Sequence, residues 1–485
     1  MRLTRRTLLG GLLAGAASPL LAEAPATSIR PAPRSPDFFK VAVKDAAELV
    51  REARLGGKVS FVVSDARTGR ILESRSPVLP QPPASTAKAL TTLYALDALG
   101  ADHRFTTRLV ATGPVSDGRI EGDLVLVGGG DPTLDTDALA DMAAELKQLG
   151  VREISGAFRV WDGALPRLRH IDAEQPDHVG YNPALGGLNL NFNRVHFEWR
   201  REGGDYRVSM DARSARYRPD VAIARMKVID RSVPVYTYAD AEERDDWTVA
   251  RGALGTGGAR WLPVRRPALY AGEVFQTLAR AHGIQLGRTI ARAEGDGGTT
   301  LVSHDSAPLA DILRDMLKYS TNLTAEVVGL SASARKGAPV KTLAESAARM
   351  DEWLAVQAGG AQMLDHSGLG GGSRISASAM VRALISQGAE PALRGLMKTY
   401  PMEERPEVQV QAKTGTLNFV SALTGYIAAP GHPDLAFAIF CADAPRREAL
   451  SEAQMERPDG GAAWTVRARR LQWALIDRWS TVYAA

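Results

Sequence analysis

One cysteine, Cys441, stands among 485 residues, which excludes an intrachain disulfide and any cysteine-built metal cluster. Uninterrupted apolar runs of about 20 residues are missing too, so the chain is not a polytopic membrane protein. At most it makes peripheral contact with a membrane. Charge of one sign never accumulates: 59 Lys and Arg against 55 Asp and Glu leave a net +4, which speaks against a dedicated nucleic-acid binder. Histidine is scarce, and the 8 present show no His-Glu-x-x-His spacing, so no metal is assigned. Gly128-Gly129-Gly130 lacks the Lys-Ser/Thr of a phosphate loop and the helix of a dinucleotide site. It reads as a turn, and no cofactor is implied. What remains is an ordinary globular composition, 45% hydrophobic, long enough for about two to four folding units.

The N-terminus reads as an address. Arg2, Arg5 and Arg6 precede an apolar run from Leu8 to Leu21, and small residues follow at Ala22, Ala24 and Ala26. That is the layout of a secretory signal over residues 1–26, removed on export. Thr4-Arg5-Arg6-Thr7-Leu8-Leu9 resembles a twin-arginine signal, while an ordinary general-secretion signal fits the same residues. The expected location is the periplasm. Residues 27–36, rich in Pro, Ser and Ala, read as a linker.

Beyond it, Lys58 to Val63 and Arg70 to Glu73 flank a turn at Asp65 to Gly69 and predict a hairpin. Prolines at 82 and 83, then Ser85, then Ala89 to Leu99 closed by Gly100, punctuate a helix. Its apolar residues leave almost no polar face, which predicts burial on most sides. Short strand patterns fill 106–286, with helical ones returning at Leu309 to Tyr319 and Thr324 to Leu330. Val420 to Ala429 and Leu435 to Cys441 predict a second hairpin, and Ala462 to about Val482 a last helix. Its Arg467, Arg469, Arg470 and Arg478 fit packing on the terminal sheet better than a membrane surface. This order predicts one domain, 37–105 and 287–485, interrupted by another at 106–286.

Three short motifs carry the chemistry: Ser85-Thr86-Ala87-Lys88, Ser320-Thr321-Asn322 and Lys413-Thr414-Gly415-Thr416. Lys88 sits among Ala and Leu, where desolvation favours a neutral amine, and a neutral amine is a base. Ser85, three positions earlier, shares its helix face and is the candidate nucleophile, with helix N–H groups near a developing oxyanion. Ser320 reads as a proton shuttle and Asn322 as the orienter of Lys88. Lys413 would supply fixed positive charge, and Gly415 would let a substrate backbone approach. Thr414 and Thr416 would bind a carboxylate, with the Thr416 N–H as a second oxyanion donor. Each motif alone has a bland reading as well: an N-cap serine with a snorkelling lysine, a capping Ser or Asn, a charged strand end.

In one chain and in this order, the trio resembles that of penicillin-binding proteins and class A β-lactamases. The separation of 235 residues from Ser85 to Ser320 is too long for a β-lactamase. The sequence resembles the low-molecular-mass class C penicillin-binding proteins, a D-alanyl-D-alanine carboxypeptidase/endopeptidase family with a large insert between its first two motifs. Gly122 to Pro132, Leu188-Asn-Leu-Asn-Phe-Asn193 and Asp365-His-Ser-Gly-Leu369 support the likeness. Two features depart from the family pattern. His366 stands where Gly is common, with Gly370 to Arg374 lengthening that loop, and Thr321 stands where Asp or Asn is frequent. The resemblance implies an α+β fold, a penicillin-recognising serine-lysine transpeptidase-like domain with an antiparallel sheet covered by helices and a mostly β insert. It implies an acyl-enzyme on Ser85, peptidoglycan stem peptides as substrate and β-lactams as inhibitors. A serine-lysine esterase or β-lactamase of the same fold, or a non-catalytic peptidoglycan-binding module, are the competing readings; the insert and the intact motifs favour the peptidase.

Overall fold

The computed structural model describes residues 43–485, save 242–243, 338, 387–388, 404, 457 and 484–485. The leader and linker read from sequence lie outside the described residues. The frame is a six-stranded antiparallel sheet in the order Lys398–Pro401, Gln409–Leu417, Val420–Ala428, Leu435–Ala442, Lys58–Asp65, Ile71–Arg75. Alternate side chains of a strand point to opposite faces, and here both faces are covered. Phe61 and Val63 join Phe437, Ile439, Trp464 and Trp479 in one core, beneath the C-terminal helix Gly461–Val482. Val62 turns the other way, to Leu90, Tyr94, Ala438 and Phe440 under the helices of the opposite layer. Burial on both faces is why these strands read as continuous apolar runs.

Between Leu99 and Leu309 the chain leaves this frame. It forms a five-stranded sheet ordered Ile290–Arg292, Phe158–Trp161, Leu124–Val127, Thr106–Ala111, Thr299–Asp305, and three smaller three-stranded sheets. Leu109, Phe158, Trp247 and Phe275 share one core there. The excursion drawn from sequence at 106–286 has strand partners as far as Asp305, because Thr299–Asp305 pairs antiparallel with Thr106–Ala111. On return, the helix Leu309–Tyr319 is stopped by Ser320, whose φ of 60° is left-handed. Thr321 is extended, and the next helix, Asn322–Lys336, begins at once.

Candidate active site

Ala84–Thr86 forms a single 3-10 turn leading into the helix Ala87–Leu99. Ala84 holds a left-handed φ of 47°, uncommon for a residue with a Cβ, so the chain is bent sharply just before Ser85. The i, i+3 spacing then stacks Lys88 beneath Ser85, with Nζ 3.1 Å from Oγ. The helix is Ala, Leu and Thr over its first turns, and Lys88 is fully buried. Its amine lies 2.8 Å from Asn322 Oδ1 and 2.9 Å from the Ser367 carbonyl oxygen. Burial pushes the Lys88 amine down from 10.5 to about 8, against the opposing charges of Glu326 and Asp365. A neutral amine has two N–H groups and one lone pair. The amide oxygen and the carbonyl can only accept, so the lone pair is left for the one partner that carries a proton, the Ser85 hydroxyl.

The connection between the two helices supplies the next pair. Sequence put both Ser320 and Asn322 in it; the structure leaves only Ser320 and Thr321 there and makes Asn322 the first helical residue. Asn322 Nδ2 donates to the Tyr181 carbonyl at 3.0 Å, which turns Oδ1 toward Lys88. Lys413 Nζ donates to Ser320 Oγ at 2.9 Å and to the Thr414 carbonyl at 2.8 Å. Ser85, Lys88 and Asn322 therefore form one set of contacts and Ser320 with Lys413 a second, and Ser85, Ser320 and Asn322 all line the same cleft. Lys413 is buried, and burial together with the positive charge of Lys88 pushes its amine well below 10.5.

The strand Gln409–Leu417 brings in the rest. A Cβ on Gly415 would lie 2.7 Å from the Pro83 carbonyl oxygen and 3.0 Å from the Ser85 nitrogen. The room that sequence reserved for substrate is thus used by the turn that carries Ser85. Thr416 lines the cleft, whereas Thr414, exposed beside the Tyr400 hydroxyl, does not. Pairing with Lys398–Pro401 ends at Ala412, so residues 413–417 have no strand neighbour on that side. The cleft encloses about 1270 Å³ and takes in Ser85, Ser320, Asn322 and Thr416, with Tyr181 and Arg260 from the excursion.

Sequence reasoning missed the layer behind Lys88. Glu326, one turn after Asn322, is fully buried and accepts the N–H groups of His366 and Ser367 at 2.9 and 2.8 Å. It holds the loop whose Ser367 carbonyl meets Lys88, and burial raises its carboxyl to about 8. Asp365 accepts the N–H groups of Gly368 and Gly370 at 2.6 and 2.5 Å and is likewise raised by burial. An acid on the apolar face of Leu323, Ala325, Val327 and Val328 was the available signal for Glu326. His366 points away from the nucleophile: its Nε2 lies 2.7 Å from Ser346 Oγ, and burial lowers its pKa to about 3. Among the described residues, no three His, Cys, Asp or Glu side chains are grouped to hold a metal ion, and no helix is long and apolar enough to cross a membrane.

The chain is 29% identical over 452 residues to the D-alanyl-D-alanine carboxypeptidase of Actinomadura sp. (strain R39), covering 82% of this chain and 80% of that one. It is 24% identical over 434 residues to D-alanyl-D-alanine carboxypeptidase DacB of Haemophilus influenzae, covering 84% and 89%. The crystal structure of penicillin-binding protein 4 (dacB) from Haemophilus influenzae superposes with a TM-score of 0.72 at 18% identity, over 89% of this chain and 99% of that one. The same protein complexed with a β-lactam gives a TM-score of 0.69 at 19% identity, again over 89% and 99%. These likenesses establish the penicillin-recognising fold. Residues 42–464 match the D-Ala-D-Ala carboxypeptidase 3 (S13) family, and with most of its length so matched the chain belongs to that family, as a serine-type D-Ala-D-Ala carboxypeptidase.

Proposed function

We propose that the enzyme acts in the periplasm, after loss of residues 1–26, on the stem peptides of peptidoglycan through an acyl-enzyme on Ser85. The observation that carries this reading is the threefold contact of Lys88 with Ser85, Asn322 and Ser367. Lys88 takes the Ser85 proton as Oγ attacks the carbonyl of the penultimate D-Ala. The N–H groups of Ser85 and Thr416 receive the oxyanion. Ser320, held by Lys413, passes a proton to the departing amine, and water then hydrolyses the ester. A departing D-Ala makes the reaction a carboxypeptidase step; a departing cross-link makes it an endopeptidase step. A β-lactam enters the same site and remains as an adduct, a reading supported by the β-lactam complex of the Haemophilus influenzae relative. The strands that pair between Thr106 and Asp305 are the inserted unit, and the rest forms the catalytic domain.

Labelled penicillin followed by peptide mapping tests the assignment. The adduct is expected on the Ser85 peptide, absent from Ser85→Ala, and abolished in a folded Lys88→Ala. Labelling retained by Lys88→Ala would refute its role as base. Release of D-alanine, measured against conversion of dimeric to monomeric muropeptides, separates the two peptidase activities.

A further inference from the structure

The loop that meets Lys88 has few side chains to hold it: residues 368, 370, 371 and 372 are all glycine. Glycine loses more backbone freedom on ordering than any other residue. Yet the Ser367 carbonyl has to stay within reach of the Lys88 amine, 2.9 Å away. His366 directly precedes Ser367, with its ring turned away from Ser85.

Three different helices hold His366. Its N–H donates to Glu326 at 2.9 Å, on the helix that begins with Asn322. Its carbonyl accepts from Thr91 Oγ1 at 2.6 Å, one turn after Lys88 on the helix Ala87–Leu99. Its ring crosses Gly329, where a missing Cβ leaves it room, and Nε2 lies 2.7 Å from Ser346 Oγ on a third helix, Leu343–Ala358. A glycine at 366 would keep the two backbone bonds and lose the third. The direction of that third bond follows from its surroundings. Nδ1 is buried with no hydrogen-bond partner among the described residues. Buried N–H groups are rarely left orphaned, so the ring proton belongs on Nε2, which donates to Ser346 Oγ. The Ser346 hydroxyl passes its own proton to Ser333 Oγ at 2.7 Å, and Tyr94, on the helix of Lys88, meets Ser333 Oγ at 3.2 Å. All four side chains are fully buried, where a satisfied polar network is rigid and a broken one costly. Burial lowers the ring to about 3, so it stays neutral.

We propose that His366 is a positioning residue for the base, its ring bond to Ser346 fixing the loop that presents the Ser367 carbonyl to Lys88. The proposal rests on the Ser85 acyl-enzyme reading and adds the group that keeps the amine aimed. With the carbonyl in place, one N–H of the neutral amine is engaged and the lone pair stays on the Ser85 hydroxyl. With the loop loosened, the amine can turn, and fewer encounters find it ready to accept.

The test is stopped-flow acylation of the full-length protein by benzylpenicillin over a range of concentrations, which separates binding from the covalent step. His366→Leu fills the space without a donor. It is expected to lower the limiting acylation rate about tenfold, the scale of one hydrogen bond, with the half-saturating concentration unchanged. His366→Gln, whose amide N–H can reach Ser346, should recover most of the rate. Ser346→Ala removes the same bond from the other side and should match His366→Leu; it decides the outcome if the Leu variant does not fold. A limiting rate at the wild-type level in either variant that lacks the bond would overturn the proposal. So would a loss carried by the half-saturating concentration, or a Gln variant as slow as Leu, which would mark the shape of the ring and not its bond. A wild-type protein with no adduct on Ser85 would instead remove the Ser85 reading, and this one with it.

Discussion

An amine sealed from water gives up its proton more readily because the charged form loses hydration that the protein replaces only in part. Lys88 is in that position, lowered to about 8, with the negative charges of Glu326 and Asp365 holding it from falling further. The sign of the pH dependence follows. Below about 8 the amine is protonated and cannot accept from Ser85; above it the base is free. Acylation by penicillin should therefore rise as pH increases through about 8 and level off beyond. Glu326 titrates over the same range, so the rise belongs to the pair. Glu326→Gln removes one negative charge that favours the protonated amine, and the midpoint of the rise should move to lower pH. Stopped-flow acylation from pH 6 to 10 measures it. A midpoint that stays in place in the variant would mean that Glu326 acts on Lys88 only through the loop it holds.

At the scale of elements, the helix Asn322–Lys336 and the loop after Asp365 fit each other through one absent side chain. A Cβ on Gly329 would lie 2.2 Å from the ring of His366, so the bulkier residue in the loop is accommodated by a glycine in the helix. Ala is ordinarily the better helix former by about 1 kcal/mol, yet here Gly329→Ala should cost about 1–3 kcal/mol by overpacking. Adding His366→Gly should recover most of that loss. Urea midpoints of the two singles and the double give the coupling directly; additive losses would show that the two residues do not share the space. This contact also marks where sequence reading stops. Ser85 with Lys88 was legible because the geometry of one helical turn fixes it locally. The hairpins and the buried helix were legible because burial leaves apolar runs and Gly punctuation. The carbonyl of Ser367, 279 positions from Lys88, and that of Tyr181, 141 from Asn322, were not, since a backbone oxygen carries no residue signature. The buried state of Lys413 and the true neighbour of Gly415 were hidden for the same reason: both depend on which distant segment packs against the strand.

Over the whole molecule, Asp45–Ala485 forms one compact unit, and the excursion reaches into the chemistry rather than only bordering it. Tyr181, from the excursion, accepts from Asn322, which in turn faces Lys88. The peptide that presents the Tyr181 carbonyl is fixed by its neighbour. Asn182 is buried; its Oδ1 accepts from the N–H groups of Ile171 and Asp172 at 2.9 and 3.0 Å, and its Nδ2 donates to the Asp172 carbonyl at 2.8 Å. Its own carbonyl accepts from Arg265 at 2.7 Å. Side-chain contacts of this kind contribute about 1 kcal/mol each, and leaving their buried partners unmet costs more. Asn182→Ala should therefore release the segment that orients Asn322 without touching Ser85, Lys88 or Asn322 itself. We expect acylation by penicillin to fall about tenfold, with the global unfolding midpoint lowered by only about 1–3 kcal/mol of stability. Partial recovery in Asn182→Asp, whose carboxylate still accepts the two N–H groups, would separate lost orientation from lost folding. Full acylation in Asn182→Ala at wild-type rate would show that Asn322 keeps its place without the excursion, and would sever the path drawn from insert to nucleophile.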